Sequence, residues 1–115
     1  MIVMNAQTGA VISSLPIGKG ADGVAFDTES RRAFSSNGDG TLTVVAEKGN
    51  TYEVVENVAT HKGARTIAVN SKTHHIYLPC AEFGAAPEAT SENPKPRPAI
   101  KEGSFTILDV APVSK

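Results

Sequence analysis

The residues with chemistry to offer are few: His61, His74, His75, Cys80 and carboxylates scattered between them. His74 and His75 stand where a turn leads into a strand-like run. Adjacent side chains there point to opposite faces, so the pair does not close on one ion. His61 lies at the far end of the preceding run. Cys80 follows Pro79. A nucleophilic thiol needs a neighbouring base and surroundings that favour thiolate, and the charged residue nearest in sequence is the acid Glu82, so a structural thiol is expected. GxSxG, HExxH, P-loop and EF-hand spacings are all missing. The expectation is therefore no catalytic constellation, no resident metal and no cofactor.

Composition narrows the function classes further. Lys and Arg total 11 against 12 Asp and Glu, a formal net charge of -1. That balance lacks the basic field of a nucleic-acid binder. One cysteine excludes an intramolecular disulfide and any CxxC metal site. The first fifteen residues, MIVMNAQTGAVISSL, have no basic start and no continuous apolar run, so they do not read as a signal peptide. Nothing approaches the roughly 20 apolar residues of a membrane-spanning helix. The apolar start at Ile2-Val3-Met4, with no cap or turn before it, predicts a larger architecture upstream.

The elements that must position these residues follow a repeat of 43 residues. Lys19-Gly20-Ala21-Asp22-Gly23-Val24-Ala25-Phe26-Asp27 faces Lys62-Gly63-Ala64-Arg65-Thr66-Ile67-Ala68-Val69-Asn70. The same offset carries Ala33-Phe34-Ser35 onto Ile76-Tyr77-Leu78, Val11-Ile12 onto Val54-Val55, and Leu15 onto Val58. Four apolar runs in one register make the repeat a property of the chain rather than of one triplet. Strands are predicted at Ala10–Leu15, Asp22–Asp27, Arg32–Ser36 and Thr41–Ala46, then at Tyr52–Val58, Arg65–Asn70, His75–Pro79 and Ser104–Asp109, with a further one at the start. Asp27-Thr28-Glu29-Ser30 and Asn37-Gly38-Asp39-Gly40 supply the turns between them. No segment carries a helical apolar stripe free of Gly and Pro. Four strands every 40 to 45 residues is the signature of β-propeller blades, each covering its neighbour's face. A β-sandwich would explain the strands without requiring the period.

These segments resemble the YVTN-repeat β-propeller family. The resemblance lies in Gly20-Ala21-Asp22-Gly23-Val24-Ala25-Phe26-Asp27, Arg32-Ala33-Phe34-Ser35-Ser36-Asn37, Gly40-Thr41-Leu42-Thr43-Val44-Val45 and Gly9-Ala10-Val11-Ile12-Ser13-Ser14-Leu15-Pro16-Ile17-Gly18. It covers nearly the whole chain except an insertion at about 81–103, and it departs at Leu78-Pro79-Cys80, where the second copy has an unusual strand end. The resemblance implies an all-β fold of four-stranded antiparallel blades, serving as a binding platform, commonly in extracytoplasmic, for example periplasmic, bacterial proteins. About 2.7 periods fit into the chain, whereas closed rings have about four to eight blades. The expectation is thus a partial propeller over 1–115, an incomplete ring. Residues 1–46 would hold the end of one blade and three strands of the next, and 52–110 the remaining strands. Further blades, or self-association, would complete it.

In that architecture the loops leading into each first strand share a face with the turns between second and third strands. Lys19, Asp22, His61, Lys62 and Arg65 fall on the first set, and Asn37 and Glu82 on the second. These seven form the expected channel-side rim. Asp22 and Arg65 are repeat equivalents of opposite charge, read most simply as a solvated or mutually neutralising pair. The insertion, with Pro87, Pro94, Pro96 and Pro98, favours extended polyproline conformation and reads as a lid or as disorder. The expected function is a non-enzymatic module binding a small molecule or a protein, or a fragment of a larger propeller. The alternative is a lactonase-like hydrolase in which Asp22 or Glu82 and His61 hold a divalent metal.

Overall fold

The computed structural model describes residues 1–113, so the last two positions of the expected 1–115 span lie outside the described residues. Those residues form nine strands in three antiparallel sheets and no helix. β1 (Ile2–Met4) and β2 (Val11–Ser14) make a two-stranded sheet. β3 (Ala21–Asp27), β4 (Arg32–Asn37), β5 (Thr41–Lys48) and β6 (Thr51–Ala59) make a four-stranded meander. β7 (Ala68–Asn70), β8 (His75–Cys80) and β9 (Thr106–Val110) make a three-stranded one. Each sheet keeps chain order.

Turn chemistry sets these boundaries. Asp27 caps the β3–β4 turn by accepting the Glu29 N–H (3.2 Å), and Asn70, one repeat later, accepts those of Lys72 (3.0 Å) and Thr73 (3.3 Å). Both turns then pass through a non-glycine residue in the left-handed region, Arg31 (φ 57°) and His74 (φ 63°). The 43-residue offset therefore holds at the level of individual backbone angles. It also relates β4 to β8 end for end. β7 is shorter than the predicted Arg65–Asn70 run. Thr66 has a positive φ of 54°, which no extended strand tolerates, and its N–H goes to the Asp22 carboxylate (2.8 Å) instead of a ladder. Despite Pro79, β9 takes the third position, with Pro79 opposite Ile107 and Leu78 opposite Leu108.

Period-two alternation builds the core. Ile76, Leu78 and Cys80 of β8 point one way and are buried, while Tyr77 and Pro79 between them are half-buried. With Ile67, Val69, Leu108 and Val110 they meet Phe34, Leu42, Val44 and Val58 of the four-stranded sheet. Leu42 and Leu78 are fully enclosed, each contributing about 1.5–3 kcal/mol relative to exposure. On the opposite face of the four-stranded sheet, β4 and β5 bury a polar ladder. Ser35 donates to Asn37 Oδ1 (2.9 Å), Asn37 Nδ2 donates to Thr41 Oγ1 (3.1 Å) and Thr43 Oγ1 (3.0 Å), and Thr43 donates to Asn57 Oδ1 (2.9 Å). The segment through Gly18 covers this ladder, its N–H reaching Thr43 Oγ1 (3.2 Å). Sheets stacked in a row give an elongated chain: the radius of gyration is 17.0 Å, against roughly 13 Å for a compact globule of this length.

The insertion leaves β8 through a narrow neck. Phe83 bridges Ile100, the Gly84 N–H donates to the Ala99 carbonyl (3.0 Å), and the Lys101 N–H donates to the Glu82 carbonyl (2.8 Å). Beyond the neck, residues 85–98 are almost entirely exposed and outside regular structure.

Candidate functional site

Three loops meet at one end of the sheets, and the 37–40 turn is their hub. The Gly38 N–H donates to the Gly20 carbonyl (2.9 Å) and the Asp39 N–H to that of Lys19 (3.2 Å). From the next loop, the Thr60 N–H donates to the Gly40 carbonyl (2.7 Å) and the Gly63 N–H to that of Gly38 (2.9 Å). The loops touch closely at two glycines: a side chain at Gly38 would start 3.1 Å from Arg65 Nε, and at Gly40, where φ is 96°, one would start 3.2 Å from the Lys62 backbone nitrogen.

Five expected rim residues are exposed at this end, Lys19, His61, Lys62 and Arg65 on the loops and Asp22 at the start of β3. Asn37 does not. It is 0% exposed, and its amide is consumed by the polar ladder beneath the hub, so it supports the rim from below rather than lining it. Asp22 and Arg65 do not neutralise each other either. The Asp22 carboxylate holds the Thr66 N–H, while the Arg65 guanidinium lies along Gly38. Asp39, which the sequence reading left out, accepts hydrogen bonds from the Thr41 hydroxyl (2.7 Å), the Lys19 N–H (2.7 Å) and the Thr41 N–H (3.1 Å). The Thr41 hydroxyl bond first, then the Lys19 amide and the Lys19 charge, hold its carboxyl below the usual carboxylate range. Both acids are thus tied to loop backbone. Among the described residues Lys19, Lys62 and Arg65 stand in no ion pair.

Glu82 lies on the insertion neck, where its carboxylate meets Lys101 Nζ (3.4 Å). His61 turns inward, its Nδ1 3.8 Å from Cys80 Sγ. The groups named for a metal-dependent hydrolase therefore face three different neighbours, and among the described residues no three His, Cys, Asp or Glu side chains are gathered for one ion. The imidazole beside Cys80 comes from His61, 19 residues away, and not from the sequence neighbourhood, where the nearest charged residue is the acid Glu82. The signal was present in the repeat: His61 and Cys80 are the counterparts of Gly18 and Asn37, which also touch, a Cβ at Gly18 falling 2.6 Å from Asn37 Nδ2.

A second polar cluster lies at the opposite end. Asp27 is fully buried and accepts from the Ser30 hydroxyl (2.6 Å), while His74 Nδ1 stands 2.5 Å from the same oxygen. Burial pushes the Asp27 carboxyl up, and the bonds from Ser30, His74 and the Glu29 amide, with the attraction of His74, outweigh it and leave it below the usual range. His75, the first residue of β8, points away to Asp109 (2.7 Å). No protein-family model, curated protein or solved structure matches the chain.

Proposed function

We propose that the 43-residue units are propeller blades of the YVTN-repeat kind and that the chain is a non-enzymatic binding module. Support for the blade reading comes from one complete four-stranded meander flanked by sheets that repeat its strand order and stack face to face. In this reading the two-stranded sheet supplies third and fourth strands and the three-stranded sheet first to third, an incomplete ring that further blades would continue. As in the family it resembles, it would work outside the cytoplasm.

The binding face is the hub of loops 18–22, 37–40 and 60–66. The observation that carries this is the split in charge: Asp22 and Asp39 are committed to backbone amides, while Lys19, Lys62 and Arg65 are exposed and, among the described residues, stand in no ion pair. A rim of this kind takes the anionic group of a small molecule or an acidic protein segment, with Arg65 best suited to a planar carboxylate. The test is an NMR titration with succinate and with inorganic phosphate. Saturable shifts confined to residues 18–22, 38–40 and 60–66, weakened at least about tenfold in Arg65→Ala, are expected. Shifts spread over the surface, or unchanged in Arg65→Ala, overturn it.

A further inference from the structure

His74 turns its two ring nitrogens towards two carboxylates of the preceding sheet. Nδ1 stands 2.5 Å from Asp27 Oδ2, and Nε2 lies 3.7 Å from Glu29 Oε2. Asp27 ends β3 and Glu29 lies in the turn after it, whereas His74 lies in the turn before β8. The cluster therefore joins the four-stranded sheet to the three-stranded one.

Burial divides the roles. Asp27 is 0% exposed, and the oxygen beside His74 also takes the Ser30 hydroxyl (2.6 Å), so it offers nothing to an ion arriving from solvent. What it does is fix the imidazole. Accepting Nδ1–H leaves the lone pair on Nε2, the arrangement in which a carboxylate behind the ring holds a metal-binding histidine. On the Nε2 side the His74 and Glu29 side chains are 34% and 68% exposed. A tetrahedral ion about 2.0–2.1 Å from each donor holds nitrogen and oxygen roughly 3.4 Å apart, so the exposed Glu29 side chain has only about 0.3 Å to close.

The repeat does not account for this trio. One period on, Asp27 and Glu29 become Asn70 and Lys72, and one period back His74 becomes Arg31, whose guanidinium is bonded to Glu47. Capping the turn is served by Asn70 as well as by Asp27. The scaffold thus requires neither the second carboxylate nor the imidazole.

We propose that His74 Nε2 and the Glu29 carboxylate form a two-residue site for a divalent transition-metal ion of the zinc class, completed by water, with Asp27 positioning the imidazole. A donor set containing imidazole suits zinc, copper or nickel, whereas magnesium and calcium take sets of oxygens. His75 does not share the ion, because its Nδ1 is held by Asp109 (2.7 Å). Since the two ligands come from different sheets, the ion staples them. The proposal rests on neither the blade reading nor the cationic rim.

The test is a titration with zinc chloride at about pH 7.5, where an ordinary imidazole is neutral, followed by long-range proton–nitrogen NMR of the histidine rings, with magnesium chloride as control. Saturable movement of the His74 Nε2 resonance is expected with zinc and none with magnesium. Glu29→Gln keeps the backbone bond from residue 29 to Asp27 and should bind zinc at least about tenfold more weakly, as loss of a ligand costs no less than loss of an outer partner. His74→Asn, chosen because asparagine tolerates the left-handed backbone at this position (φ 63°), should abolish saturable binding. Zinc shifts centred on His61 or His75, unchanged affinity in Glu29→Gln, saturable binding that survives His74→Asn, or no saturable change in the wild type would each overturn the proposal.

Discussion

The His61 imidazole sits over Cys80, Nδ1 3.8 Å from Sγ, at the positions Gly18 and Asn37 occupy one repeat earlier. The same loop-over-strand contact is thus filled by a glycine above an amide in one copy and by an imidazole above a thiol in the other. Cys80 is 8% exposed, and His61 supplies part of that cover. His61→Gly should leave the fold intact and raise the rate of Cys80 alkylation by iodoacetamide about tenfold, because access governs thiol reactivity as much as thiolate fraction does. An unchanged rate would mean that the thiol is shielded by the strand alone.

Gly18 makes the opposite prediction in the first copy. Its φ is not in the left-handed region, so alanine is allowed by the backbone and excluded by the Thr41 hydroxyl and the Asn37 amide beneath. Gly18→Ala should cost about 1–3 kcal/mol in urea unfolding, from displacing a buried hydrogen-bonded amide. In an Asn37→Ala background the added cost should fall by at least about 0.5 kcal/mol, the signature of two residues in contact. Additive losses would place the strain elsewhere.

Much of this was legible in the sequence, and the reason is local. Strand type, turn positions and the 43-residue offset are carried by β-branched alternation and by Asp, Asn and Gly at turns, which act within a few residues. The rim loops were legible once the repeat was seen. What escaped needed three dimensions. Asn37 reads as a turn residue, yet its side chain points down into a ladder completed by Asn57 across the sheet. Thr66 reads as strand, and only the Asp22 carboxylate, 44 residues away, explains why β7 starts late. Asp27 and His74 are 47 residues apart and meet because two sheets stack.

That Asp27 contact gives the fold a defined response to acid. The Asp27 carboxyl is held below its ordinary value in the fold, so the folded state binds fewer protons than the unfolded chain, whose carboxyl titrates near about 3.9. Its contribution is full above that value and is lost as pH falls through the lower folded-state pKa. Unfolding curves from pH 2.5 to 7 should show the wild-type advantage over Asp27→Asn shrinking steadily below about pH 4. A difference that stays constant across that range would show that the carboxylate is not ionised in the fold.

Val24 and Ile67 separate intrinsic preference from cover. They are repeat equivalents, both apolar and both on the same face of a first strand or its lead-in, but Ile67 packs against the Phe34–Leu42 core while Val24 is 70% exposed. The difference lies in the neighbouring sheet: the four-stranded sheet packs on Ile67, while the two-stranded sheet of β1 and β2 leaves Val24 exposed. Burial, not residue type, sets the energy of an apolar side chain. Ile67→Ser should therefore destabilise the chain by about 2–3 kcal/mol in urea unfolding, whereas Val24→Ser should change it by less than about 0.5 kcal/mol. The Val24 change should also reduce self-association in light scattering, since it removes apolar surface left open to other molecules. A large loss at Val24 would mean that this face is covered in solution by something other than the two strands before it.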